Sequence, residues 1–154
     1  MFAKDIIIGE KKVAFNQKGR FTVPMFSGRE NGEELIFVYS YENDCIEIYS
    51  YTHFLEIVKS VAESRDLDYI IEHANTIPAM QELLNRALFK ATVDEQGRVN
   101  TSMDSLERYG YVLDSEIYIL GKVDHLEMYP NKESYTKMLL RRKLLKQDSG
   151  LKKG

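Results

Sequence analysis

Two glycine-arginine pairs, Gly19-Arg20 and Gly97-Arg98, are the residues of this 154-residue chain best placed to do chemistry. Each follows a polar stretch, Asn16-Gln17-Lys18 in one case and Asp94-Glu95-Gln96 in the other. Asn or Asp opens a tight turn and glycine supplies its positive φ. An arginine projecting beyond such a turn can donate two parallel hydrogen bonds to guanine O6 and N7, or grip a phosphate. Lys18 lies beside the first pair. Lys11 and Lys12 precede it by one strand length, and Lys90 stands 78 residues after Lys12. A hairpin at 16–19 would return Lys11 and Lys12 towards its base. Lysines act on phosphates as point charges, adding salt-dependent affinity without reading sequence. The candidate nucleic-acid contacts are therefore Arg20, Arg98, Lys18, Lys12, Lys11 and Lys90.

Catalytic patterns are missing. The chain has no phosphate-cradling glycine loop, dinucleotide fingerprint or paired-histidine zinc motif. His53, His73 and His125 are far apart in sequence and are expected to be surface or half-buried side chains. Cys45 ends a polar turn beside Asp44, a setting that raises a thiol pKa. Asp66 and Asp68 have no partner motif and read as a solvated acidic face. No enzyme activity, cofactor, metal or small-molecule substrate is expected.

Composition points the same way. With 44% apolar and 29% charged residues the chain has the makeup of a globular domain. It has no apolar run near the roughly 18 residues of a membrane span and no secretory-signal pattern at its N-terminus. A single cysteine cannot close an intrachain disulfide, and the expected address is a reducing cytoplasm without membrane contact. The net charge of −3 hides a partition: +4 over 1–29, −10 over 30–85, −3 over 86–136 and +6 over 137–154. Such a chain can bind a polyanion if its basic residues share a face.

The elements that would hold these arginines repeat. VAFNQKGRFTVP at 13–24 matches ATVDEQGRVNTS at 91–102 with an offset of 78, and IEIY at 46–49 matches LEMY at 126–129 with an offset of 80. Each copy predicts a hairpin around its Gly-Arg turn and a second strand pair, 35–39 with 46–49 and 117–120 with 126–129. A short helix over 102–109, capped by Ser102 and stopped by Gly110, is expected in the second copy, and about one turn over 25–32 in the first. Between the copies, helices are predicted from a Thr52 cap with Phe54, Ile57, Val58 and Val61 inward, around 69–73, and from 76 to 87. A last helix carries Tyr135, Met138, Leu139 and Arg142 on one stripe.

GEKKVAFNQKGRFTVP and VDEQGRVNTS resemble the two signatures of the MraZ family, and VDHLEMY at 123–129 resembles its closing strand. The resemblance covers roughly residues 5–142. MraZ proteins belong to the SpoVT/AbrB-like transcription factors. The resemblance implies an α+β, β-rich domain over 1–147, with two swapped-hairpin copies (about 5–52 and 88–132) interleaved into one small β-barrel. A helical insert (53–87) and a C-terminal helix (133–147) would pack outside, followed by a disordered tail at 148–154. It further implies a bacterial, nucleoid-associated, ring-like homo-oligomer, octamer-type, binding double-stranded DNA at short direct repeats upstream of cell-division and cell-wall genes. The alternative is a related oligomeric module that has lost DNA recognition and binds proteins. Asn16 stands where the family usually has Asp, and Thr101-Ser102 where it has an apolar residue and Pro.

Overall fold

Antiparallel strands build the framework of the chain. The computed structural model describes residues 6–61, 82 and 85–153, and eight strands lie among them. β1 (Glu10–Phe15) buries Val13 and Phe15, while Lys11 and Lys12 stay exposed. β3 (Glu34–Ser40), β4 (Cys45–Ser50) and β8 (Leu126–Tyr129) are buried on both faces and accordingly read as nearly continuous apolar runs. With β5 (Ala87–Thr92) and β7 (Ser115–Gly121) they form one antiparallel sheet in the order β1-β7-β8-β4-β3-β5. Among the described residues β2 (Arg20–Thr22) and β6 (Arg98–Asn100) pair only with each other, as a two-stranded ribbon.

The architecture is thus α+β and strand-rich. The sheet is not closed into the expected barrel: its edges are β1 and β5, and these do not pair with each other. Nor do the Gly-Arg turns continue as hairpins. The turns close locally, with Asn16 N donating to Arg20 O at 3.0 Å and Asp94 N to Arg98 O at 2.9 Å. Beyond them the strands part, because β1 finds six partners along β7 and β5 runs along β3, each longer than a three-residue β2 or β6 offers. Lys11 and Lys12 are therefore carried away into the sheet rather than returned towards the turn.

One sheet face and the ribbon enclose the main core. Phe21 and Val99, 78 residues apart, face each other across the ribbon and point inward. Phe21 packs edge-on between Phe15 and Phe37, at 6.3 Å from each ring. The opposite sheet face is covered by helices. α1 (Tyr51–Val61) packs Phe54 and Val58 on Ile36 and Val38. Its N-cap is Ser50 rather than Thr52: Ser50 Oγ accepts from His53 N at 3.1 Å.

α3 (Lys132–Lys153) is capped by Asn131, whose Oδ1 accepts from Ser134 N at 2.9 Å, and buries Tyr135 and Met138 on Cys45 and Tyr129. Leu139, expected on the buried stripe, is 45% exposed. The helix backbone continues through 148–153, where a tail was expected; no proline interrupts it, and one internal glycine costs only about 1 kcal/mol. α2 (Met103–Leu106) runs into a 3₁₀ turn ended by Gly110 at φ 90°. Ser102 occupies its N-cap position, but the hydroxyl faces Ser105 Oγ at 3.4 Å and does not cap the backbone. The helices expected around 69–73 and from 76 fall outside the described residues, apart from helical positions at 82 and 85–86.

Because β1 pairs with β7, β2 with β6, β3 with β5 and β4 with β8, an N-terminal piece loses a partner from each of these four strands and keeps only the β3–β4 pair. A fragment of residues 1–76 will show no cooperative thermal transition by circular dichroism. A sharp melt from a monomeric fragment would contradict this dependence.

Candidate nucleic-acid interface

The ribbon is where the candidate arginines meet. With Phe21 and Val99 turned inward, alternation sends Arg20, Thr22, Arg98 and Asn100 to the outer face. Arg20 is opposite Asn100 and Arg98 opposite Thr22, so the two arginines are diagonal neighbours, with backbones about 7–8 Å apart across the ribbon. Both are half-buried.

The turns beneath them are built alike. Asn16 Oδ1 accepts from Lys18 N at 2.9 Å and Arg20 N at 3.0 Å, and Asp94 Oδ1 accepts from Gln96 N at 2.9 Å and Arg98 N at 2.8 Å. Gly19 and Gly97 have φ of 72° and 78°, the left-handed region each turn needs. The two turns are also laced together. Val23 N donates to Gly97 O at 2.9 Å, and Thr101 N donates to Gly19 O at 2.8 Å. The Thr101 hydroxyl adds a second bond to Gly19 O at 2.7 Å. These links hold the arginine-bearing ends as one unit.

Their electrostatics differ. Residues 16–20 carry Lys18 and Arg20 with no acid, whereas 94–98 carry Asp94 and Glu95 against Arg98 alone. Arg98 Nε donates to Asp94 Oδ2 at 3.1 Å. The backbone N–H of Arg98, with further bonds from Gln96 and the Arg98 guanidinium, outweighs partial burial and holds the Asp94 carboxyl below its usual pKa. Arg20 Nε instead donates to Asn100 Oδ1 at 2.7 Å.

The remaining lysines sit elsewhere. Lys12 pairs with Glu116 on β7 at 3.3 Å. Lys90 stands 4.0 Å from Glu34 on β3, with its ammonium 4.3 Å from the Tyr51 ring centre. Lys11 lies on β1 beside Lys12. Only Arg20, Lys18 and Arg98 therefore share the ribbon and its turns. Arg29, not singled out in the sequence, joins them from below: it donates to Val23 O, and its Nε lies 2.0 Å from where a Cβ on Gly97 would stand. No spacing rule would have indicated it.

A second polar constellation lies on the helix-covered sheet face. Glu47 and Glu127, 80 residues apart, are directly opposite in the β4–β8 register. Both are buried, at 9% and 1% exposure. Glu127 accepts from Tyr129 Oη at 3.1 Å and from Arg142 Nη2 at 2.8 Å. Glu47 accepts from Tyr49 Oη at 3.3 Å, with Arg86 Nη2 3.9 Å away. His125 Nε2 stands 3.4 Å from Glu47 Oε2, a coulombic contact without hydrogen-bond geometry.

His125 Nδ1 lies 2.7 Å from Asp124 Oδ1, whose other oxygen is 2.9 Å from His53 Nε2. The fold thus brings His53 and His125 together through one carboxylate. Glu47, His125 and Glu127 each place a possible metal-ligand atom within 4.8 Å of the others, but the guanidiniums of Arg142 and Arg86 already face the two carboxylates. Cys45, at the edge of this cluster, is buried and its thiol pKa is raised, chiefly by that burial.

No protein-family model matches this chain, and no curated protein matches it. Among the described residues no helix is long and apolar enough to cross a membrane.

Burial opposes the charged form of His125, but Glu47 and Asp124 outweigh it and raise its pKa above 6.5. A raised folded-state pKa stabilises the fold fully below the unfolded value and loses that contribution as pH rises through the folded value. For Asp124, bonds from His125 and His53 outweigh burial and lower its pKa from 3.8, so its contribution is present above that pH and is lost as acid protonates it. The melting temperature will fall from pH 6 towards pH 9, and His125→Gln will flatten that slope. An unchanged slope in the variant would show that another group titrates. Arg142→Ala, which strands the Glu127 carboxylate, will cost about 3–5 kcal/mol in urea denaturation, and adding Glu127→Gln will recover most of it.

Proposed function

We propose that this chain is a sequence-specific, DNA-binding transcriptional regulator of the MraZ and SpoVT/AbrB kind. It works in a bacterial cytoplasm, associated with the nucleoid, as a ring-like homo-oligomer on short direct repeats in double-stranded DNA. Its two copies exchange strands, so that each Gly-Arg turn is held by residues of the other. One observation carries this reading: the β2–β6 register turns Phe21 and Val99 inward and leaves Arg20 and Arg98 on the outer face of a two-stranded ribbon. Such a ribbon is narrow enough for the major groove, where guanidiniums can address guanine and Lys18 a phosphate.

Lys11, Lys12 and Lys90 act on DNA only at a distance, since Lys12 and Lys90 already face carboxylates. Repetition of the ribbon around a ring supplies the avidity that one small, overall acidic subunit lacks. Ile6, Ile8 and Val123, each more than half exposed around the Ile7–Val123 bridge, offer an apolar contact for assembly. A second reading, a protein-binding module without DNA recognition, is favoured by the acidic second turn, where Asp94 and Glu95 outnumber Arg98.

Anisotropy titrations with a G-rich duplex and an A/T-only duplex of equal length, at two salt concentrations, separate the two. Arg20→Ala will lower affinity for the G-rich duplex by about 1–3 kcal/mol while leaving the melting temperature nearly unchanged. Lys18→Ala will weaken both duplexes alike and make the salt dependence shallower. Arg20→Lys, which keeps the charge and removes the planar fork, will keep nonspecific binding and lose the preference. Absence of binding to either duplex would favour the protein-binding module.

A further inference from the structure

An arginine reads guanine with the fork formed by its two terminal nitrogens, so its Nε is free to anchor the side chain. The ribbon arginines are both anchored through Nε, by different means. In the second turn Asp94 does two things: Oδ1 accepts from backbone N–H groups, and Oδ2 accepts from Arg98 Nε at 3.1 Å. In the first turn Asn16 occupies the equivalent place, and its only oxygen is spent on Lys18 N and Arg20 N. Its other arm is an NH₂ group, which donates and cannot accept from Arg20 Nε.

The missing acceptor arrives from the opposite strand. Asn100 faces Arg20 in the ribbon register and receives its Nε–H at 2.7 Å. Because Nε only donates, the atom facing it is the amide oxygen. The neighbouring Thr101 ties this strand to Gly19 O through both its N–H and its hydroxyl, so Asn100 is held against the turn it serves.

We infer that Asn100 is the positioning residue for Arg20, supplying across the ribbon the anchor that Asp94 gives Arg98 within its own turn. Asn16 and Asn100 then form a compensating pair. A carboxylate at 16 would make the amide at 100 unnecessary, and without one Arg20 depends on it. Holding Arg20 by Nε leaves the fork of its two terminal nitrogens for a guanine edge, with less conformational freedom to lose on binding. This inference rests on the DNA-binding reading above.

The test compares wild type, Asn100→Ala, Asn16→Asp and the double variant, using the ratio of affinities for the G-rich and A/T-only duplexes. The ratio cancels the nonspecific effect of the charge added at position 16. Asn100→Ala will lower the ratio about two- to tenfold, the worth of pre-ordering one long side chain, with an unchanged melting temperature. Adding Asn16→Asp will restore it, which a merely structural role for Asn100 would not allow. In the free protein, the NMR signal of Arg20 Nε–H will exchange faster with water in Asn100→Ala and slow again in the double variant. If Arg20→Ala lowers the ratio but Asn100→Ala does not, or if Asn16→Asp fails to rescue, the positioning role is overturned and DNA binding stands. If wild type shows no preference and Arg20→Ala changes nothing, the DNA-binding reading itself falls, and this role with it.

Discussion

The pairing of β4 with β8 is the contact on which the rest of this molecule depends. It is the one seam joining β1-β7-β8 to β4-β3-β5, and without it the six-stranded sheet is two three-stranded pieces. The seam is costly, because its register places Glu47 opposite Glu127 on a covered face. Two buried carboxylates at cross-strand distance repel each other and lose their hydration. The fold answers with cations and donors drawn from distant parts of the chain: Arg142 from α3, Arg86 from the lead-in to β5, His125 from the β7–β8 turn, and the hydroxyls of Tyr49 and Tyr129. Tyr111 fastens the seam from the core side, accepting from Ile46 N at 3.3 Å and donating to Met128 O.

This requirement explains why α3 sits where it does. Its apolar contribution is modest, mainly Tyr135 and Met138, and several of its leucines remain exposed. Arg142 adds a charge-assisted bond to a carboxylate that is 1% exposed, an interaction worth more than a surface pair of the same length. The opposite layer is simpler. There the ribbon closes the core with Phe21 and Val99, and everything polar on β2 and β6 is driven outward. Apolar burial inside and arginine display outside are therefore one constraint seen from two sides. A one-residue slip in the ribbon register would bury the arginines and expose the phenylalanine.

Much of the local structure was legible in the sequence. Asn16 and Asp94 opening turns, glycines 19 and 97 at positive φ, the strands around 35–39, 46–49, 117–120 and 126–129, and the helical stop at Gly110 all follow from side-chain chemistry within a few residues. Arg20 and Arg98 were recognisable as candidates for the same reason. Less local expectations fared differently. Alternation on both sides of a turn suggests a hairpin, but it cannot say that β1 prefers β7 and β2 prefers β6. The cap of α1 shifted from Thr52 to Ser50 because β4 runs directly into the helix. Lys12 was a candidate through the expected hairpin and Lys90 through its offset from Lys12, and strand pairing set them beside Glu116 and Glu34.

What the sequence determined by itself is the set of short-range commitments: which residues turn, which alternate, which carry a fork-shaped cation. These depend on backbone sterics and side-chain hydrogen bonding over three or four positions, so they can be read wherever they occur. The tertiary structure alone decided the partners. It set Arg20 beside Asn100, 80 residues away, tied Arg29 beneath Gly97, joined His53 to His125 through Asp124, and placed Glu47 against Glu127. Such contacts arise when strands choose among several apolar faces of similar quality, and the choice minimises exposed area and unpaired backbone over the whole chain rather than within any segment of it.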